Sequence, residues 1–92
     1  MEIARFEVEY RQNYARWRVQ AGENIAYWRQ QRGLKQWTVA QALHLSQPTI
    51  SRIERGKGYL PYDRLCAFAT YLQVTPDDLV WTGTPLTPRP AG

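Results

Sequence analysis

A single cysteine, Cys66, in 92 residues rules out an intrachain disulfide framework and the small stapled scaffolds that depend on one. Histidine is just as scarce. His44 stands alone, and no Cys/His grouping has the spacing of a zinc site, so neither metal nor cofactor is expected. No apolar run approaches the ~20 residues that span a bilayer. The opening MEIARFEVEYRQ is too charged for a signal peptide, so a cytoplasmic location with no membrane partner is expected. A nucleophile–base pair and a glycine-rich phosphate loop are also missing, which argues against an enzyme.

Charge of neither sign dominates. Twelve Lys and Arg face eight acids, for a net charge of +4 and a pI near 9.6. So modest an excess says little about partners, and position matters more than the sum. The cations are spread along the chain, with one local concentration at Arg52, Arg55 and Lys57. A hydrophobic fraction of 43% and a charged fraction of 22% are those of an ordinary globular chain, and the length suits one domain.

The punctuation from residue 22 onward is helical. Gly33 and Gly56 suit helix ends, because glycine enters the left-handed region without a Cβ clash. Ser46 followed by Gln47-Pro48 reads as an N-cap with proline in the first turn. Thr75-Pro76-Asp77-Asp78 repeats the pattern and adds two acids facing the positive end of the helix dipole, which accounts for them without catalysis. Between these marks, apolar residues recur at helical spacing: Ile25 and Trp28; Val39, Ala40 and Leu43; Ile50 and Ile53; Leu65, Phe68, Ala69 and Leu72. The expected fold is all-α, a compact five-helix domain over residues 22–81 with helices near 22–32, 36–43, 47–55, 62–72 and 76–81.

Residues 1–21 form an extension with two readings. Ala4, Phe6, Val8 and Tyr10 alternate with charges as in a half-buried strand, whereas Ile3, Tyr10, Tyr14, Trp17 and Ala21 share a helical stripe. The favoured expectation is an extended arm at 4–10 and a helix at 13–20. The three prolines within 82–92 suggest a flexible tail.

Two short helices joined by a tight turn, over residues 36–43 and 47–55, have the geometry that lays a second helix in the major groove of DNA. With Ile50 and Ile53 turned inward, Gln47, Pro48, Thr49, Ser51 and Arg52 are left for base edges. Gln36, Lys57, Tyr59 and Arg55 are candidates for phosphate contacts.

The matching residues extend well beyond this pair of helices. Arg29, Gly33, Leu34 and Gln36, the Val39-Ala40 pair, the run from Leu45 to Gly56 (LSQPTISRIERG) and the spacing of Leu72, Val74 and Leu79 together resemble the Cro/lambda-repressor-like (xenobiotic-response-element, XRE) helix-turn-helix family. The resemblance covers about sixty of the 92 residues. It implies a sequence-specific, double-stranded DNA-binding transcriptional regulator, a dimeric repressor of phage, plasmid or bacterial origin on an inverted-repeat operator. It also implies that Gln36 sits beside Gln47 and touches the DNA backbone. Arg29 and Glu54 match a partly buried ion pair of the family, a structural role. Departures from the pattern are His44 where the turn usually has glycine, Lys35 where a capping residue is preferred, and Pro48, which removes one side-chain reader.

Bland readings cover the remaining polar singletons. His44 is a turn residue and Cys66 a small, partly buried side chain. The aromatics carry more weight. Trp28, Phe68 and Tyr71 fit the core, while Tyr27 and Trp37 fall on faces expected to be exposed. Phe6, Tyr10, Tyr14 and Trp17 are expected to cover one another, either packed on their own first helix or on that of a second copy. Tyr10, Tyr14 and Trp17 are therefore homodimer candidates, and the family resemblance implies the last helix, with Leu79 and an exposed Trp81, as the other candidate interface. Two rival functions share the same residues: an antitoxin that wraps a toxin with its tail or arm, and an interaction module that kept the fold but binds a toxin or antirepressor instead of DNA.

Overall fold

The structure, a computed structural model, describes residues 5–81. Six helices follow one another: α1 (Arg5–Gln12), α2 (Tyr14–Gln31), α3 (Gln36–Ala42), α4 (Gln47–Glu54), α5 (Tyr62–Leu72) and α6 (Pro76–Val80). The all-α expectation holds among the described residues, and α3 to α6 begin at the expected positions. Residues 82–92 lie outside the described residues.

The extended arm is corrected: residues 5–12 are helical. The sequence misleads here because a period-two pattern contains an i, i+4 pattern within it. The alternating charges meet as helical pairs, Arg5 with Glu9 at 3.1 Å and Arg11 with Glu7 at 2.5 Å. Val8 decides between the readings. A strand would bury it with Phe6 and Tyr10; in the helix it rotates to the far face and is 39% exposed, while Tyr10 is buried. Asn13 is the joint between α1 and α2. Its backbone N–H and side-chain amide both donate to Glu9 O, at 3.0 and 2.8 Å, and its carbonyl accepts from Trp17.

The helix expected to begin near residue 22 starts eight residues earlier, since α2 runs unbroken for 18 residues. Gly22 is buried in its middle. A Cβ there would overlap the Ile53 carbonyl oxygen and lie 3.3 Å from the Gly56 nitrogen. Glycine is therefore needed for close approach, not for turning. It lets α2 lie against the C-terminal end of α4, where Arg18 Nη1 donates to the Gly56 carbonyl at 2.6 Å.

Helix α2 is the axis against which α4, α5 and α6 pack, with α3 against α4 and α1 against α2 and α5. The core joins Ile25 of α2, Val39 of α3, Ile50 and Ile53 of α4, Leu65, Phe68 and Leu72 of α5, and Leu79 of α6. Tyr10 belongs to it as well, at 1% exposure. Around Tyr10 the N-terminal aromatics pair closely, Tyr10 with Tyr14 at 5.8 Å and Phe6 with Trp17 at 5.8 Å. The N-terminal segment thus covers its own domain.

Helix ends are completed by side chains from distant elements. Buried Asn24 of α2 donates to the carbonyls of Leu79 (2.7 Å) and Trp81 (3.0 Å) at the end of α6. Arg32 Nε donates to Leu72 O at the end of α5, and its guanidinium stacks 4.9 Å from the Trp28 ring. Thr75 and Asp78 form a reciprocal capping box at α6. Trp81, expected to be exposed, is half-buried, and its indole Nε1 is enclosed without a hydrogen-bond partner.

Replacing Gly22 by alanine is expected to lower stability by about 1–3 kcal/mol in urea denaturation, although alanine is ordinarily favoured inside a helix by about 1 kcal/mol. A neutral or stabilising result would mean that α2 and α4 separate easily.

Candidate nucleic-acid interface

The turn between α3 and α4 works without its usual glycine. His44 takes φ of 58°, and Leu45 N donates to Ala40 O at 2.8 Å across it, satisfying a carbonyl at the end of α3. A non-glycine residue in this conformation is tolerated but strained. Lys35 opens α3 without a side-chain cap, so nothing replaces the missing capping oxygen. Helix α4 opens with a full one: Ser46 Oγ accepts from Thr49 N at 3.2 Å, with Pro48 in the first turn.

Within α4 the two faces separate cleanly. Ile50 and Ile53 are buried, while Gln47, Pro48 and Arg52 are exposed. Thr49 and Ser51 are half-buried and already engaged. The Thr49 hydroxyl lies 2.8 Å from Ser46 Oγ, and Ser51 Oγ accepts from Arg55 Nη1 at 2.8 Å. The outer surface of α4 therefore offers one amide, one proline ring and one guanidinium to a ligand, with Thr49 and Ser51 shaping their surroundings.

Gln36 is half-buried at the start of α3, with its side chain turned to Glu54. Its Nε2 donates to Glu54 Oε1 at 3.0 Å. Glu54 also receives two bonds from Arg29, Nε to Oε2 at 2.7 Å and Nη2 to Oε1 at 3.0 Å. The remaining Arg29 nitrogen, Nη1, donates to Leu34 O at 2.9 Å. These side chains are 13% (Arg29) and 7% (Glu54) exposed, so the bidentate pair is largely out of water and nearly saturated with hydrogen bonds. One carboxylate thereby ties the end of α2, the approach to α3 and the last turn of α4.

Beyond α4 the chain leaves through Gly56, at φ of 74°, into a loop that carries Lys57 and Tyr59. Both are exposed, Tyr59 at 69%. The N-terminal extension holds this loop from behind, by contacts the sequence did not signal. Tyr10 OH donates to Leu60 O at 2.5 Å, and Leu60 N donates to Tyr14 OH at 3.0 Å. Arg64 donates to Tyr59 O at 3.0 Å and lies 5.9 Å from the Tyr59 ring. The alternation of apolar and charged residues at 4–11 showed that something would be covered, but not that phenol hydroxyls would clamp a backbone fifty residues away.

Of the residues expected to form a dimer, Tyr10 and Leu79 are corrected: both are fully buried within the protomer and present no surface. Tyr14 and Trp17 are half-buried in the aromatic cluster. Among the described residues, the exposed large hydrophobics are Val8, Val19, Trp37 and Tyr59.

The fold and this geometry agree with the comparison of the chain with known families. Residues 20–81 match the family described as "Helix-turn-helix domain", and the chain belongs to that family. No curated protein and no solved structure matches the chain. The class is that of helix-turn-helix DNA-binding proteins, with an XRE-like arrangement. No described helix is long and apolar enough to cross a membrane, and no described group of His, Cys, Asp and Glu could hold a metal ion.

Removing one partner of a buried pair leaves the other charge uncompensated, so Glu54→Ala is expected to lower stability by about 3–5 kcal/mol in urea denaturation. A loss within experimental error would show that the carboxylate is dispensable. The pH response follows from the tyrosines. Burial, reinforced by neighbouring Tyr14, pushes the Tyr10 phenol well above its usual range. Burial and then a hydrogen bond to Cys66 push Tyr62 up to about 12. Both groups stay protonated in the folded state when an unfolded tyrosine, at about 10, has begun to ionise. Their contribution is therefore complete below pH of about 10 and is lost as pH rises toward and through about 12. The ring resonances of Tyr10 and Tyr62 and the helical circular dichroism, followed together, should change in one step in that window. Ionisation of Tyr10 or Tyr62 near pH of about 10 with the fold intact would contradict this.

Proposed function

We propose that this protein is a sequence-specific transcriptional regulator that places α4 in the major groove of double-stranded DNA and acts as a homodimeric repressor on an inverted repeat. The observation that carries this reading is the division of α4. Its apolar side is committed to the core, while Gln47 and Pro48 of its first turn and Arg52 of its last are exposed. Arg52 suits the O6/N7 edge of guanine, Gln47 the N6/N7 edge of adenine, and the Pro48 ring a thymine methyl. Lys57 and Tyr59, on the loop held by Tyr10 and Tyr14, are in position for flanking phosphates, and Arg55 braces Ser51 at the end of the reading face.

A single recognition helix reads only a few base pairs. Two of them, ~34 Å apart on a two-fold symmetric operator, give useful specificity, and occupancy then excludes polymerase. An interaction module without DNA affinity has no need of an outward Gln47–Arg52 face above a saturated ion pair, so DNA is the favoured ligand.

Selection from random duplexes, followed by titration at several salt concentrations, tests this. An inverted repeat should be enriched. Arg52→Ala should relax preference at one position per half-site, at a cost of about 1–3 kcal/mol there. Lys57→Ala should weaken all sequences alike and lower the salt slope by about one. Absence of any enriched sequence, with residual binding lost to salt on all DNA equally, would sink the reading and leave a protein partner as the ligand.

A further inference from the structure

Arg29 shows how an arginine is used up by this fold: Nε and Nη2 are bonded to Glu54 and Nη1 to Leu34 O. Arg64, in the first turn of α5, is used differently. One nitrogen, Nη1, donates to Tyr59 O at 3.0 Å. Among the described residues Nε and Nη2 meet no acceptor, and the guanidinium has no ion pair. Its neighbours one turn away are Leu60, Pro61, Ala67 and Phe68, none of them an acid. Asp63 adjoins it in sequence but lies on another face of the helix. A cation in the first turn also stands against the positive end of the helix dipole, so the charge does not serve the stability of α5.

The guanidinium is nevertheless held in place. The Tyr59 bond fixes one edge, and its central carbon lies 5.9 Å from the centre of the Tyr59 ring. That ring is braced in turn by Tyr14, edge-on at 6.5 Å. The backbone beyond it is tied down at Leu60 by the hydroxyls of Tyr10 and Tyr14. Holding a carbonyl takes one N–H, and an arginine carries five. The remaining donors form a planar fork that matches two oxygens of a phosphate, and a fork already held loses less freedom on taking one.

Lys57 stands two residues before Tyr59 on the same loop, with at most about 7 Å between their Cα atoms. Lys57 is exposed and, like Arg64, has no ion pair among the described residues. A lysine and an arginine fork thus share one ridge, and both are free to face the same strand of a polyanion. The geometry points to Arg64 as a phosphate ligand beside Lys57, set in place by Tyr59 and gripping the DNA backbone outside the bases read by α4; this rests on the reading of α4 as the helix in the major groove. The spacing of residues in the helix-turn-helix does not mark Arg64 for that role, because it belongs to the next helix.

The test uses the full chain and the duplex enriched by selection, with its backbone phosphates replaced one at a time by neutral methylphosphonates. With the wild type, each replacement at a contacted phosphate weakens binding. With Arg64→Gln one of these effects should vanish, at a phosphate different from the one silenced by Lys57→Ala, while the preferred sequence stays the same. The loss of affinity between about 50 and about 200 mM salt should also be about threefold smaller than for the wild type, the share of one phosphate contact. Arg64→Lys, which keeps the charge without the fork, should reduce the effect at that same phosphate without silencing it. If the wild type prefers an inverted repeat and Arg64→Gln leaves the salt dependence and every phosphate effect unchanged, the assignment of Arg64 alone is overturned. If Arg64→Gln silences the same phosphate as Lys57→Ala and no other, it is overturned as well, because Arg64 then only positions the loop. A wild type with no preferred sequence overturns the reading of α4 and the assignment of Arg64 with it.

Discussion

The Glu54 carboxylate is the point on which the helix-turn-helix geometry rests. It takes two bonds from Arg29 and one from Gln36, and Arg29 in turn reaches the Leu34 carbonyl. A carboxylate this enclosed is tolerated only because its oxygens are filled by a bidentate guanidinium and an amide. Filling them sets the angle at which α4 leaves α3, since both helices are referred to the same two oxygens. The exposed face of α4 is presented by that arrangement. Gly22 is its counterpart on the other side of α4, where the absence of a side chain lets α2 press against Ile53. One contact pulls and the other permits.

A second regularity is that side chains of α1 and α2 finish the ends of later elements. Arg18 takes Gly56 O, Asn24 takes Leu79 O and Trp81 O, Arg32 takes Leu72 O, and Tyr10 and Tyr14 take both backbone groups of Leu60. Short helices leave a large share of their backbone groups unpaired, and a small domain has little core with which to offset them. Drawing the partners from one long helix and its N-terminal neighbour makes the loop of Lys57 and Tyr59 part of a rigid frame. The phosphate candidates therefore stand on a surface whose position is set from behind by phenols.

Much of this was legible before the structure. Ser46, Thr75 and the two prolines that follow them mark helix starts by local chemistry, and the caps form as the local sequence implies. Ile50 and Ile53 declare the buried side of α4 by spacing alone, which leaves Gln47, Pro48 and Arg52 outside by subtraction. The fate of His44 follows from its place between two helices. Residues 5–12 were misread because alternating charges satisfy two periodicities at once, and only the burial of Tyr10 with the exposure of Val8 separates them. The join across Gly22 was missed because nothing in the letters around a glycine tells whether two helices meet there or one helix runs through it against a close neighbour. The bond from Gln36 to Glu54 was not legible, because the two residues stand 18 positions apart.

The sequence by itself determined the all-α class, the turn between α3 and α4, and which side of α4 is apolar, because each depends on residues within one or two helical turns of each other. Tertiary structure alone decided that α1 is helical, that α2 is a single rod through Gly22, that Gln36 bonds Glu54, and that Tyr10 and Leu79 are core. Each of those outcomes depends on a partner many residues away, such as Leu60 for Tyr10 at a separation of 50 residues. Hydrogen-bond and burial energies are collected only where the folded chain brings such groups together, and no local pattern encodes that meeting.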